Sequence, residues 1–144
     1  MAEEVKIVRI DDLDKAVIEE INKMNQKAIA NCNVAAEAAA TAGVKELKAT
    51  SPVRSGTSAR QHGKYPPGSY AKSWTKKKEG NALGVFNYTI YNAKHYQLTH
   101  LLEFGHIIAT GKRAGQRSKA FPHIAQVNKS ASEQFVRSVE SMKL

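Results

Sequence analysis

HYQLTHLLEFGHIIATGKRAGQRSKAFPHI, from His95 to Ile124, is the stretch on which the reading of the fold turns. Leu98, Leu101 and Leu102 recur at i, i+3 and i+4 and share one face, which predicts a short helix over 96–104. At about 100° per residue, Tyr96, His100 and Glu103 fall on the opposite face. Gly105 follows where a helix commonly ends in a left-handed residue. His106 stands close to the negative helix end. A basic loop over 106–121 comes next, with Lys112, Arg113, Arg117 and Lys119 and no acid. Gly111 and Gly115 loosen it, and a loop of this length without structure of its own is usually functional or disordered. Pro122 suits a first helical turn and opens a C-terminal helix over 122–142. Ile124, Val127, Ala131, Phe135, Val139 and Met142 form its stripe.

Upstream, residues 70–92 read as a hairpin. Tyr70 to Lys77 is one strand, Glu79-Gly80-Asn81 the turn, and Leu83 to Asn92 the second strand. Phe86, Tyr88 and Ile90 alternate with Val85, Asn87 and Thr89 across its two faces. Before it, 53–69 (VRSGTSARQHGKYPPGS) is a mobile basic loop. Before that, Leu13, Val17, Ile21, Met24, Ala28, Cys32, Ala35, Ala39 and Ala42 step by three or four. They predict one amphipathic helix over 11–48, on the order of 50 Å long at 1.5 Å per residue. Asp11 or Asp12 is its N-cap, and Ser51-Pro52 ends it. Gly43 weakens it locally. A small domain rarely covers so long a helix, so its alanine-rich half packs either on its own domain or on a neighbouring subunit.

The expected architecture is therefore α+β in a single domain over 1–144. A long N-terminal helix, a small antiparallel sheet around a hairpin, a short central helix and a C-terminal helix pack on one another.

The net charge is +9, from 22 basic and 13 acidic residues. Seven of the acids lie in the first 20 residues. From Leu47 to Lys78 there are eight Lys or Arg and no acid, and from Phe104 to Ser132 five more and no acid. An acidic head and two basic stretches point to contact with nucleic acid or an acidic protein surface, or simply to a solvated basic face. Tyr65, Tyr70 and Trp74 interleave with the first basic stretch, which favours a contact surface. No apolar run approaches membrane-spanning length, and the acidic start has no signal-peptide core. The single Cys32 lies in a helical pattern and reads as a small core residue of a reducing compartment.

Chemistry-bearing patterns are few. His100 and Glu103 share a helix face, and His95, His106 and His123 stand nearby in sequence. The spacing is not that of a zinc protease, and a His–Glu hydrogen bond is the simpler reading. Thr110-Gly111-Lys112-Arg113 resembles the end of a phosphate-binding loop but fails its spacing, and Arg113 stands where a Ser or Thr must bind magnesium. No Ser, His and Asp set is evident. No catalytic, cofactor-binding or metal-binding residues are therefore expected.

Ser51-Pro52-Val53-Arg54-Ser55-Gly56, Gly68-Ser69-Tyr70-Ala71-Lys72-Ser73-Trp74, Val85 to Asn92, His95 to His106 with its HLLEFGH block, and Pro122-His123-Ile124 occur in this order. In these pieces, about half the chain, the sequence resembles the gene-product-ten-like tail-component family of long-tailed phages and prophages, also called tail-completion or head–tail neck proteins. It departs at Thr57 to Pro67, which looks like an insertion, and at Ala125-Gln126-Val127, where the family often has a proline. The resemblance implies a virion structural protein at the head–tail junction, assembled in the host cytoplasm, without enzymatic activity, cofactor or membrane contact. It implies a ring of copies of itself between portal- or adaptor-side and tail-side phage proteins, with non-specific DNA contact as an added reading. The residues expected to serve assembly are Arg54, Tyr70, Lys72, Trp74, His100, Glu103, Gly105, His106, Lys112, Arg113, Arg117, Pro122 and His123. Glu103 is expected to anchor the basic loop or a neighbouring subunit through Arg113, Arg117, His100 or His106, with Gly105 left-handed behind it. The alternatives are a nucleic-acid-binding protein using 53–69 and 106–121, and a small metal-dependent hydrolase built on His100 and Glu103.

Overall fold

Leu13–Thr50 forms one unbroken helix, α1, entered through a 3-10 turn at Ile10–Asp12. It belongs to a computed structural model that describes residues 9–53 and 66–143. The helix stops where proline requires: Ser51, before Pro52, is extended at φ −62°, ψ 141°. A one-turn helix α2 (Ser69–Lys72), strands β1 (Trp74–Gly80) and β2 (Phe86–Asn92), helix α3 (Thr99–Phe104) and helix α4 (Ile124–Glu140) follow. The class is α+β, with two antiparallel strands running from Trp74 opposite Asn92 to Gly80 opposite Phe86.

Four of these elements meet in a small core of Leu47, Tyr70, Trp74 and Val127, with Val44, Ile90, Leu102 and Ile124 packed around it. Small residues on α1 make that approach close. Ala35, Ala39, Ala40 and Gly43 are all buried, so the alanine-rich half lies inside its own fold. At Gly43 the contact is tightest, because an added Cβ would stand 2.8 Å from Ile90 Cδ1 and 3.6 Å from the Ala131 Cβ. The glycine that weakens the helix on propensity is thus what admits β2 and α4 to its surface. Asn33 pins the far end of the hairpin, accepting from Phe86 N–H (2.9 Å) and donating to the Gly84 carbonyl (2.7 Å).

Several expectations are corrected. Tyr70 lies in a helical turn and not a strand, held by hydrogen bonds from Lys72 N–H to the Gly68 carbonyl and from Ser73 N–H to the Tyr70 carbonyl. The hairpin turn is not Glu79-Gly80-Asn81 but 81–85, where the Asn81 side chain accepts from the N–H of Leu83 and Val85. Pro122 precedes α4 by two residues, leaving His123 as the boundary. Nor is 106–121 without structure of its own. Ile107 and Arg117 form an antiparallel bridge, and Ile108 exchanges backbone hydrogen bonds with Gln116 and Gly115 at 2.8 Å. The stretch Thr57 to Pro67 lies mostly outside the described residues.

The first half of α1 is the part left uncovered. Leu13, Val17, Ile18, Ile21 and Met24 are between 48% and 57% exposed. Gly43→Val should push two methyl groups into Ile90 and Val127 and destabilise the fold by about 1–3 kcal/mol. The check is a lower urea midpoint with an unchanged slope.

Candidate functional site

Of the residues singled out around His95–Ile124, His95, Glu103 and His123 are buried in a polar cluster between α2, α3 and the start of α4. The local cause is a helix without its own cap. α4 begins at His123, which gives no side-chain cap, and has no acid in its first turn. Its first N–H groups therefore need an acceptor from elsewhere. Glu103, 6% exposed, supplies it. Its Oε2 accepts from the N–H of His123 (2.8 Å) and Ile124 (2.9 Å), and its Oε1 from Ala125 (3.0 Å). Burial pushes the Glu103 carboxyl up, but the N–H groups of Ile124, Ala125 and His123 outweigh it and hold the group below the usual carboxylate range.

His123 is 3% exposed and engaged on both nitrogens. Nδ1 lies 2.6 Å from the Phe121 carbonyl and 3.3 Å from Glu103 Oε2. A carbonyl only accepts, so Nδ1 carries a hydrogen. Nε2 is 2.9 Å from the Tyr70 hydroxyl. Burial, aided by the Glu103 charge, pushes the Tyr70 phenol up to about 12. The phenol keeps its proton, and where the imidazole is neutral with its hydrogen on Nδ1 the phenol donates to Nε2. Tyr70 also meets the rings of Trp74 and His123 edge-on, each with centroids 5.7 Å apart. Trp74 donates from Nε1 to the Ser51 hydroxyl at 2.8 Å, tying the end of α1 to the cluster. Asn92, 1% exposed, donates to the Tyr70 carbonyl and accepts from His95 N–H, both at 2.8 Å. His95 Nε2 meets the Ser69 hydroxyl at 2.8 Å.

The expected partners of Glu103 are therefore corrected. Arg117 donates to the Phe104 carbonyl at 3.1 Å and Arg113 to Gln116 at 3.2 Å. His106 meets the Ser118 hydroxyl at 3.0 Å, and His100 is exposed. Glu103 fastens α4 of its own chain. Gly105 does have positive φ, but at φ 72°, ψ 169° it is extended and not left-handed helical. Only glycine takes that conformation readily, and a Cβ there would stand 2.6 Å from the Ser118 carbonyl oxygen. Tyr70, Trp74 and His123 are interior, while Lys72, Lys112 and Pro122 are exposed. Arg54 lies outside the described residues. Sequence reasoning missed Ser51, Ser69 and Asn92. Asn92 had a signal, a polar residue ending an apolar strand face.

The cluster's groups are satisfied, and no buried side-chain nitrogen or oxygen among the described residues lacks a partner. Among the described residues no three His, Cys, Asp or Glu come together as metal ligands. The arrangement is mechanical: it holds α4 against α3 and the hairpin. Beside it opens an apolar groove of about 940 Å³ between α1, β2, α3 and α4, lined by Cys32, Ala36, Phe86, Phe104, Phe135 and Val136.

Fold and site together define a small α+β unit, whose buried polar groups fasten helices and whose apolar surfaces stand open. The chain belongs to a phage tail-component family: residues 15–105, well over half of it, match HK97-gp10_like, described as "Bacteriophage HK97-gp10, putative tail-component". Pro122-His123-Ile124 lies beyond the matched residues. No curated protein and no solved structure matches. A tail component works in contact with other phage structural proteins. Among the described residues no helix is long and apolar enough to cross a membrane.

Glu103→Gln keeps the shape and removes the charge, and should destabilise the fold by about 1.5–3 kcal/mol at neutral pH. The folded carboxyl titrates below the unfolded one, about 4.3. Its contribution is therefore complete above the unfolded value and is lost as pH falls through the folded value. The gap between wild type and variant in urea melts should be wide at pH 7 and shrink below about pH 4.

Proposed function

We propose that the chain is a head–tail neck or tail-completion component, forming a ring of its own copies between portal- or adaptor-side and tail-side proteins of the virion. Family membership supports the tail assignment. The observation that carries the assembly role is the uncovered half of α1, with Ile10 at 91% and Leu13, Val17, Ile18, Ile21 and Met24 about half exposed. So continuous an apolar face on a small unit marks an interaction surface. The exposed residues Lys72, His100, Lys112 and Pro122, with Arg54, are the proposed contacts to unlike neighbours. Glu103, Gly105, His106, Arg113, Arg117 and the buried Tyr70, Trp74 and His123 hold those surfaces in place.

Particles made without this protein should accumulate DNA-filled heads and separate tails under negative-stain microscopy, and supplying it should restore joined virions. Joined, infectious particles in its absence would remove the neck assignment.

A second reading has one observation of its own. Lys112 and Lys119 stand exposed on the bridged loop and have no carboxylate partner among the described residues. They and Arg113 suit contact with DNA passing through the assembly. Such contact should weaken steeply with salt, with log K falling by about 0.9 per phosphate neutralised against log salt. Exchanging Lys112 and Lys119 for Gln should flatten that slope by about two contacts in a filter-binding titration.

A further inference from the structure

The uncovered half of α1 and the open groove belong to the same chain but cannot meet within one copy. α1 runs unbroken from Leu13 to Thr50, and Cys32, which lines the groove, sits 11 residues beyond Ile21 on the same helix. At 1.5 Å per residue these positions stay roughly 16 Å apart along a rigid axis. The arm therefore cannot fold back into its own groove.

The two surfaces complement each other in shape and sign. Leu13, Val17, Ile21 and Met24 form a single stripe along the arm, and the groove is mainly apolar on its α1, β2 and α4 walls, with Thr99, His100 and Glu103 on its α3 wall. At about 100° per residue, Glu20 lies beside Leu13 and Asp14 beside Ile21, so acids flank the stripe on both sides. Between Leu13 and Met24 three acids, Asp14, Glu19 and Glu20, accompany two bases, Lys15 and Lys23; Lys23 meets Glu19 at 3.4 Å and Glu20 at 3.9 Å, which leaves Asp14 as the flanking acid without a lysine partner among the described residues. Two lysines of β1 flank the sheet wall of the groove. Lys78 Nζ sits 3.9 Å from the centroid of the Phe86 ring and Lys76 Nζ 5.4 Å from that of Tyr88, and both rings line the groove. Lys76 already meets Glu37 at 3.6 Å. Lys78 has no carboxylate partner among the described residues. Two exposed apolar side chains, Phe104 at 68% and Val136 at 50%, add to the lining.

We propose that the arm of one copy, Leu13–Met24, lies in the groove of the next copy, with its flanking acid Asp14 directed to Lys78 beside the sheet wall. Arm and groove are different surfaces, so each copy gives one contact and receives another. Such a head-to-tail interface propagates until it closes as a ring or continues as a filament. The inference names the contact between copies in the assembly proposed above, and it rests on that reading for closure of the ring.

Cys32 is the chain's only cysteine and lines the groove, which makes the test direct. Ile21→Cys places a second thiol on the arm, too far from Cys32 for an internal disulfide, which needs Cα atoms within about 7 Å. Mild oxidation of the full-length chain, purified and in assembled particles, should give disulfides between positions 21 and 32 of different copies. These should run as a ladder of dimer, trimer and higher species on non-reducing gels, and peptide mapping should identify the link. Cys32→Ala should abolish the ladder, and Val17→Cys serves as a second arm position. Linkage between two arms that stops at dimer and survives Cys32→Ala would overturn the proposal. So would the absence of arm-to-groove linkage in both settings from both arm variants. Variants present in particles but unlinked would sink the docking and leave the neck reading standing. A protein absent from particles, even as wild type, would sink the neck reading regardless of linkage.

Discussion

The structure depends on one carboxylate reaching one helix end. α4 starts with donors that its own sequence does not cap, and Glu103 accepts from three of them across 20 residues of chain. Desolvating a charge is costly unless its hydrogen bonds are replaced. Here backbone N–H groups replace them, and the positive end of the α4 dipole adds to their effect. The position of α4 follows, and with it the burial of Val127 and the covering of the alanine half of α1. His123 and Tyr70 extend the same network to α2, and Trp74 carries it to Ser51 at the end of α1. A single polar thread thus links the end of each helix to the hairpin.

That arrangement separates the molecule into a rigid part and an available part. The rigid part consumes its polar groups internally, down to both ring nitrogens of His123. The available part is the first half of α1, the groove and the bridged basic loop. An isolated helix of about 15 residues is marginal in water, so the arm draws its helicity from continuity with the packed half of α1. The charge pattern follows the same division, with acids gathered at the arm and cations on the body. Opposite signs attract within a copy and between copies alike, but the unbroken axis of α1 holds the arm away from its own body.

Much of this was legible from residue pattern. The long helix, its stop at Ser51-Pro52 and the inward face of Phe86, Tyr88 and Ile90 are local consequences of periodicity and proline. Glu103 shows where local reasoning ends. A helical wheel placed it away from the leucines, which is correct within the helix but silent about what arrives from residue 123. A clue was present, since α4 opens on Pro122-His123 with no Ser, Thr, Asp or Asn to cap it. Glu103 is also the sole acid between Glu79 and Glu133. An uncapped helix and a lone acid together specify a partnership that neither specifies alone. Tyr70 and Trp74 misled in the opposite direction. Aromatics among lysines resemble a binding face, but a one-turn helix at Ser69–Lys72 turns both rings inward, and a four-residue helix leaves no periodicity to detect.

Trp74 has a use that arises from where it sits. It is the only tryptophan in the chain, it is 4% exposed, and it lies where the end of α1, the hairpin and the start of α4 come together. Its indole is tethered to Ser51, with the His123 ring 6.3 Å away. The protein therefore carries its single indole at its structural centre and none on the arm. Emission at that site reads the docking of the last helix without any label, and because Trp74 also lines the groove, a segment seated there would change it too. Emission and light scattering followed together in one cuvette therefore distinguish loss of the fold, which changes emission without growth in size, from assembly, which raises scattering.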